Sequence, residues 1–326
     1  MHLPGVVKVA GGLVALVGVG FTAERVLVGR LRRRTDPDVD PLLMPPSDTR
    51  PGEIGAHDGG KLHYLERGEG RPLVLLHGIT LAARIWSPQL HQLAGSVDRP
   101  GFRVIAFDLR GHGDSSAGTD GYGLPVLARD LATVLTELDL RGAVVAGHSM
   151  GGMALMRFCA DHPEVLQERV AALAFVATAA SAPMPPFLLS RLEILGARLV
   201  DRLDDGRPVP SLRFSGNDAS LVLCRLAFGK HPSAAAVEQV RACIEAMDPE
   251  ASQRSGVGLL DHDVSETLPQ VTQPAAIVVG RRDLLTPVAA ARRIAQLLPH
   301  ARFHVLPGAG HQLMQERPDE LGAILR

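Results

Sequence analysis

Beyond residue 70 the chain repeatedly runs through short stretches of valine, leucine and isoleucine, and this recurrence constrains the fold more than any other feature. The runs are Leu73–Leu76, Val104–Phe107, Ala143–Ala146, Val170–Val176, Ala275–Val279 and Phe303–Leu306. They are continuously apolar instead of alternating, as strands covered on both faces of a parallel sheet are. Stretches with helical apolar spacing fall between them, at Pro125–Leu138, Met150–Ala160, Pro287–Leu297 and Gln312–Leu325. Strand, helix and parallel strand close as a right-handed crossover, so the alternation predicts a doubly wound α/β sheet with helices on both faces. Ahead of it, His57 to Arg67 alternates through Leu62 and Tyr64 around a DGG turn at Asp58–Gly60, which predicts an antiparallel hairpin.

Two regions break the pattern. From about 180 to 265 the chain is helix-like in pieces, Phe187–Leu203, Asp218–Phe228 and Ala234–Met247, and reads as a helical cap inserted before the late strands. At the other end, residues 1–34 form a hydrophobic segment: Val9–Ala23 carries no charge, and Arg25, Arg30, Arg32, Arg33 and Arg34 follow it. Counted from Leu3, with Lys8 snorkelling, the run reaches the roughly 20 residues of a spanning helix. We expect a membrane anchor, and the arginines after it would keep the catalytic domain in the cytoplasm. A helix packed on the domain is the alternative. Residues 35–52 hold five prolines and no apolar period, so they read as a linker to a domain spanning 53–326.

At 326 residues, 46% of them hydrophobic, the chain can bury the core of one large domain with an inserted subdomain. Lysine and arginine (34) nearly balance aspartate and glutamate (35), which leaves no field to hold nucleic acid against salt. Cys159, Cys224 and Cys243 lack CxxC spacing and histidine neighbours, so they read as buried thiols, with a Cys224–Cys243 disulfide open only outside the cytosol. The cluster Asp261-His262-Asp263 has no partners at helical or strand spacing and reads as a solvated helix end or loop. No feature calls for a metal or an organic cofactor.

The chemistry concentrates in Val144-Val145-Ala146-Gly147-His148-Ser149-Met150-Gly151-Gly152, an apolar strand running through G-x-S-x-G into a helix. A bare G-x-S-x-G arises by chance in about one chain in ten of this size, so the motif by itself decides little. Its context decides more. A serine on a strained strand-to-helix turn needs small residues around it, which Gly147 and Gly151 supply. Asp283 follows the strand Ile277-Val278-Val279, and His311 follows Val305-Leu306, so that both lie where open α/β sheets place functional groups. Taken singly, Asp283 reads as a helix cap and His311 as a helix-start residue. Together, Ser149, Asp283 and His311 give a nucleophile, an orienting carboxylate and a general base in the chain order of a serine hydrolase.

With these residues the chain resembles the α/β-hydrolase superfamily from about Glu53 to Arg326. Leu75-Leu76-His77-Gly78-Ile79 is similar to that family's HG-x turn, and Asp108-Leu109-Arg110-Gly111-His112-Gly113-Asp114-Ser115 to its D-x-R-G-x-G-x-S loop. The resemblance implies a mostly parallel eight-stranded sheet and an oxyanion hole made by the backbone N–H groups of Ile79 and Met150. It also implies that His77 and the Asp108–Ser115 loop shape and brace the site. A serine at the elbow sets the chain apart from relatives with aspartate there, such as epoxide hydrolases and haloalkane dehalogenases.

The expected reaction is hydrolysis of a carboxylic ester, perhydrolysis or acyl transfer on the same residues being the alternatives; a non-catalytic binding member of the fold is the rival from another class. The expected partner is a small-molecule ester or lipid. Phe187, Leu188 and Leu192 in the cap either line a hydrophobic pocket or form the cap's own core, and Trp86 either packs or lines the pocket.

Overall fold

In the computed structural model, which describes residues 28–96, 98–182 and 218–326, the apolar runs pair into one eight-stranded sheet. The strands are β1 (Arg50–Gly55), β2 (Lys61–Arg67), β3 (Arg71–Leu76), β4 (Phe102–Phe107), β5 (Ala143–His148), β6 (Val170–Val176), β7 (Ala275–Gly280) and β8 (Arg302–Leu306). Their order is β1-β2-β4-β3-β5-β6-β7-β8, with β2 antiparallel to β1 and β4 and every other pairing parallel. The chain leaves β3 toward β4 on one side and returns to β5 on the other. The carboxyl ends of β3 and β5 therefore flank the crevice where such sheets carry their sites.

Side-chain alternation along each strand feeds two apolar layers. Val74 and Leu76 face one side, where they join Leu127 and Leu131 of α2 (Leu124–Glu137), Leu155 of α3 (Met150–Asp161) and Ile294 of α8 (Val288–Leu297). Leu73 and Leu75 face the other, with Leu90 and Leu93 of α1 (Ser87–Leu93) and Leu321 and Leu325 of α10 (Pro318–Leu325). Both layers contain residues that are completely buried, as a sheet covered on its two faces requires. After α4 (Pro163–Arg169) and β6, the described part of the cap comprises α5 (Asp218–Arg225), α6 (Ala234–Ala246) and α7 (Pro249–Val257).

Several elements depart from the sequence expectations for physical reasons. The helix expected over Gln312–Leu325 is broken into α9 (Leu313–Glu316) and α10, because Pro318 disfavours the helical conformation at Arg317, which sits at φ −145°, ψ 57°. Helix α7 has no apolar period; it is set by its N-terminus, where Asp248 caps the Glu250 N–H and Pro249 occupies the first turn. His262 is buried, not solvated, and its Nε2–H donates to the Ala179 carbonyl at 3.0 Å, tying the end of the cap to the segment after β6. The three cysteines are free and buried, and burial pushes the thiols of Cys159 and Cys224 up to about 12 and about 11.

The stretch expected to be a linker is packed. Strand β1 begins within it at Arg50, and Val28, Leu31, Val39 and Leu43 are buried in the layer that contains α6. The Arg34 carbonyl accepts the Ala234 N–H at 2.8 Å, and the Leu43 carbonyl accepts Gln239 Nε2 at 2.5 Å. Residues 28–43 thus strap the cap to the body. Among the described residues no helix is long and apolar enough to cross a membrane; the run Val9–Ala23 lies outside them.

A buried ion cluster fixes the loop after β4. Arg110, fully buried, donates from Nη1 to Asp58 at 2.7 Å and from Nη2 to Asp130 at 2.6 Å, joining the hairpin turn to α2. Removing the guanidinium would strand two buried carboxylates, so Arg110→Met should destabilise the fold by about 3–5 kcal/mol in urea denaturation. A loss below about 1 kcal/mol would show that the cluster does not brace the sheet.

Candidate active site

Strand β5 ends at His148 and α3 begins at Met150, leaving Ser149 alone to turn the chain at φ 52°, ψ −119°. An L-residue adopts that conformation only when its surroundings hold it. Here the Ser149 N–H donates to the Val176 carbonyl at 3.0 Å. Its own carbonyl accepts the Gly152 and Met153 N–H groups and the Thr178 hydroxyl, the last at 2.7 Å. The turn closes only because its neighbours lack side chains. A Cβ on Gly147 would collide with the Gly151 carbonyl, and one on Gly151 would lie 2.5 Å from the His77 carbonyl.

His311 and Asp283 come from the loops after β8 and β7. His311 Nδ1 donates to Asp283 Oδ2 at 2.8 Å, and both side chains are nearly inaccessible. Asp283 also receives the Thr286 hydroxyl at 2.8 Å and the backbone N–H groups of Leu285 and Thr286 at 2.9 and 2.8 Å. Burial alone would raise this carboxyl, but the charge and hydrogen bond of His311, with the Thr286 donors, outweigh it and hold Asp283 below the usual range. With Nδ1 committed, Nε2 is the nitrogen left to His311 for a proton from another group. Ser149 and His311 line the same cavity, and the hydrogen bonds of the His311 ring run to Asp283 and Thr286. The serine–imidazole contact of such sites commonly tightens only when substrate is bound.

Beside the serine, neither the Ile79 N–H nor the Met150 N–H has a hydrogen-bond partner among the described residues. Met150 begins a twelve-residue helix whose dipole favours negative charge at its N-terminus. The Ile79 turn is held by His77, which is completely buried. Its Nε2 accepts the Leu109 N–H at 2.9 Å and its Nδ1–H donates to the Gly78 carbonyl at 2.7 Å. Burial lowers its pKa and keeps it neutral, as that bonding requires. Asp108 anchors the same loop by accepting the Ala83 N–H at 2.6 Å and His63 Nδ1 at 2.9 Å, which raises the His63 pKa. His148, also fully buried, donates from Nε2 to the His311 carbonyl at 2.9 Å; burial and the neighbouring His311 hold its pKa far below normal.

The cavity above these groups has a volume of about 300 Å³, and among the described residues no formally charged aspartate, glutamate, lysine or arginine lines it. Ile79, Leu81, Leu223, Leu226, Val240, Ile244 and Leu285 supply most of its wall, so the cap helices α5 and α6 contribute directly. Trp86 does not line it; the indole is completely buried in the layer below, with Leu90 and Val104. Phe187, Leu188 and Leu192 lie outside the described residues. Sequence reasoning missed Thr286 and the second role of His148. Thr286 carried a usable signal, three residues after Asp283 and immediately before Pro287, where a hydroxyl can return to the carboxylate.

A doubly wound sheet, a serine elbow after β5 and a histidine–carboxylate pair after β8 and β7 describe one class of protein. The α/β-hydrolase fold family matches residues 71–318, and the chain belongs to it. Among its relatives, a non-heme chloroperoxidase from Kitasatospora aureofaciens is 29% identical over 269 residues, covering 78% of this chain and 90% of that protein. A non-heme haloperoxidase from Rhodococcus erythropolis is 27% identical, covering 83% of this chain and 97% of that protein. The solved structure of a thermophilic esterase from Thermogutta terrifontis superposes with a TM-score of 0.69 at 26% identity, covering 85% of this chain and 97% of that one.

Thr286→Val keeps the shape of the Asp283 loop and removes one donor to the carboxylate. If the hydroxyl helps to hold Asp283 in place, the variant should lose about 1.5–3 kcal/mol of stability. Any ester turnover should fall about tenfold in kcat with KM unchanged. Wild-type stability and turnover would show that the backbone donors suffice.

Proposed function

We propose that this protein is a serine esterase in which Ser149 is the nucleophile, His311 the general base, and Asp283 the carboxylate that orients and stabilises the imidazolium. The observation that carries the reading is that a strained serine and a histidine with Nδ1 committed to a buried carboxylate line one apolar cavity, with an unpaired N–H on Ile79 in the same lining and another on Met150, the residue after the serine. His311 takes the hydroxyl proton as Ser149 attacks the ester carbonyl, and the oxyanion accepts from the Ile79 and Met150 N–H groups, each worth about 3 kcal/mol in the transition state. The imidazolium then protonates the departing alkoxide. Water, deprotonated by the same base, releases the acid and frees the serine.

The walls of the cavity support a neutral, hydrophobic acyl group. Perhydrolysis is the second reading, favoured by the likeness to the two haloperoxidases over most of their length. It would use the same acyl-enzyme with hydrogen peroxide in place of water, and peracid formed from acetate and peroxide by wild type but not by Ser149→Ala would establish it. The reading extends to the N-terminus: the uncharged run Val9–Ala23 and the arginines after it support a membrane anchor with the catalytic domain on the cytoplasmic side. A chain starting at Val28 keeps the packed strap, and its release to the supernatant while the full chain sediments with membranes would bear this out; both in the supernatant would refute it.

Incubation with a fluorophosphonate should add one adduct to the intact mass of wild type and none to Ser149→Ala. Asp283→Asn should lower kcat on the order of 10⁴-fold. Across p-nitrophenyl esters, kcat/KM should rise about fourfold per added methylene, the equivalent of about 0.8 kcal/mol of burial, until the cavity is full. A folded wild-type protein that takes no adduct would overturn the esterase reading.

A further inference from the structure

Leu223, Leu226, Leu284 and Leu285 are 54%, 53%, 73% and 53% exposed, and they make up four of the six exposed large hydrophobic residues among those described. Isolated exposed leucines are ordinary, but these gather at one place. Leu223 and Leu226 stand at the end of α5, and Leu284 and Leu285 follow Asp283; three of the four also line the cavity. Among the described residues nothing covers these leucines, which turn outward from two separate elements.

The rim of this apolar patch is cationic. Arg225 stands between Leu223 and Leu226, and Arg282 lies two residues before Leu284. Arg34 Nη1 and Arg225 Nη2 converge on a single acceptor, the Lys230 carbonyl, at 3.3 and 3.2 Å, while the Lys230 residue itself is exposed. Arg34 and Arg282 both lie close enough to Arg225 to lower its basicity, after burial has done so. The nearby acids are engaged. Glu316 accepts the N–H groups of Gly229, Gly310 and Gln312, and Asp36 those of Asp38 and Val39. Arg34 is also the last of the arginines that follow Val9–Ala23 in the sequence.

We infer that the rim of the cavity mouth is a docking surface for an anionic lipid bilayer, in which the four leucines enter the acyl region and Arg225, Arg282, Lys230 and Arg34 meet the phosphates. Exposed leucines with cationic side chains close by in the chain match the two layers of such a surface, hydrocarbon beneath and negative headgroups above. Docking would set the apolar cavity directly against the hydrocarbon, so that an ester could pass from bilayer to Ser149 without crossing water. The surface stands independently of the reaction; only this consequence for substrate delivery rests on the esterase reading.

The test uses the full chain carrying Leu284→Trp, since the native Trp86 is buried and contributes a constant background. With vesicles of phosphatidylcholine containing phosphatidylglycerol, its emission should shift to the blue and be quenched by brominated acyl chains, with much weaker changes on phosphatidylcholine alone. Adding Arg282→Gln should weaken the response about fivefold in apparent affinity. Turnover of a soluble short-chain ester should stay at the wild-type level in both variants, which separates failure of docking from failure of the esterase reading. An unshifted, unquenched emission while the protein sediments with the vesicles would mean that the N-terminal run alone holds the membrane, and would overturn the proposal. Equal responses on neutral and anionic vesicles would overturn its electrostatic half.

Discussion

Everything around the cavity depends on how closely the first turn of α3 approaches the sheet. The chain reverses at Ser149 in a conformation unfavourable for an L-residue, and it can do so because Gly147 and Gly151 let the helix backbone lie against β5 and the His77 carbonyl. That contact does three things at once. It lifts the serine above the strand ends, leaves the Met150 N–H without an intrahelical partner, and brings this N–H beside the turn that carries the Ile79 N–H. A Cβ at either glycine would push the helix backbone off this contact.

Such a turn is kept by its surroundings. Val176 and Thr178 hold the Ser149 backbone from β6 and the segment after it, His77 connects the turn after β3 to the loop after β4, and Asp108 ties that loop to β2 and to the start of the first helix. Arg110, in the same loop, completes the bracing through the carboxylates of Asp58 and Asp130. Each of these polar groups is buried and satisfied within the fold, so that the shape of the cavity floor is determined by hydrogen bonds, whereas its walls are apolar and borrowed from the cap.

The cap and the N-terminal strap form a second, looser unit. Residues 28–43 share an apolar layer with α6, and α6 lends Val240 and Ile244 to the cavity wall. A chain entering from the N-terminus is therefore mechanically joined to the wall of the pocket. This arrangement was not visible in a stretch whose prolines suggest a linker.

The sheet was legible in the sequence because strands covered on both faces must be apolar throughout, and Ser149, Asp283 and His311 stood out because each follows a strand end with a glycine within three residues. Thr286 and His148 were not, since a threonine before a proline and a histidine beside the serine have many other uses, and only their distances assign them. Trp86 went the same way: an aromatic after the HG-x turn fits wall or core equally, and the completed layer buries it. What the sequence determined by itself is local and periodic: the strands, the helices and the residue types at their ends. What only the tertiary structure decided is non-local: which donors remain unpaired beside Ser149, which carboxylate His311 meets, and which leucines stay outside. Those outcomes depend on contacts between segments far apart in the chain, and no local pattern encodes them.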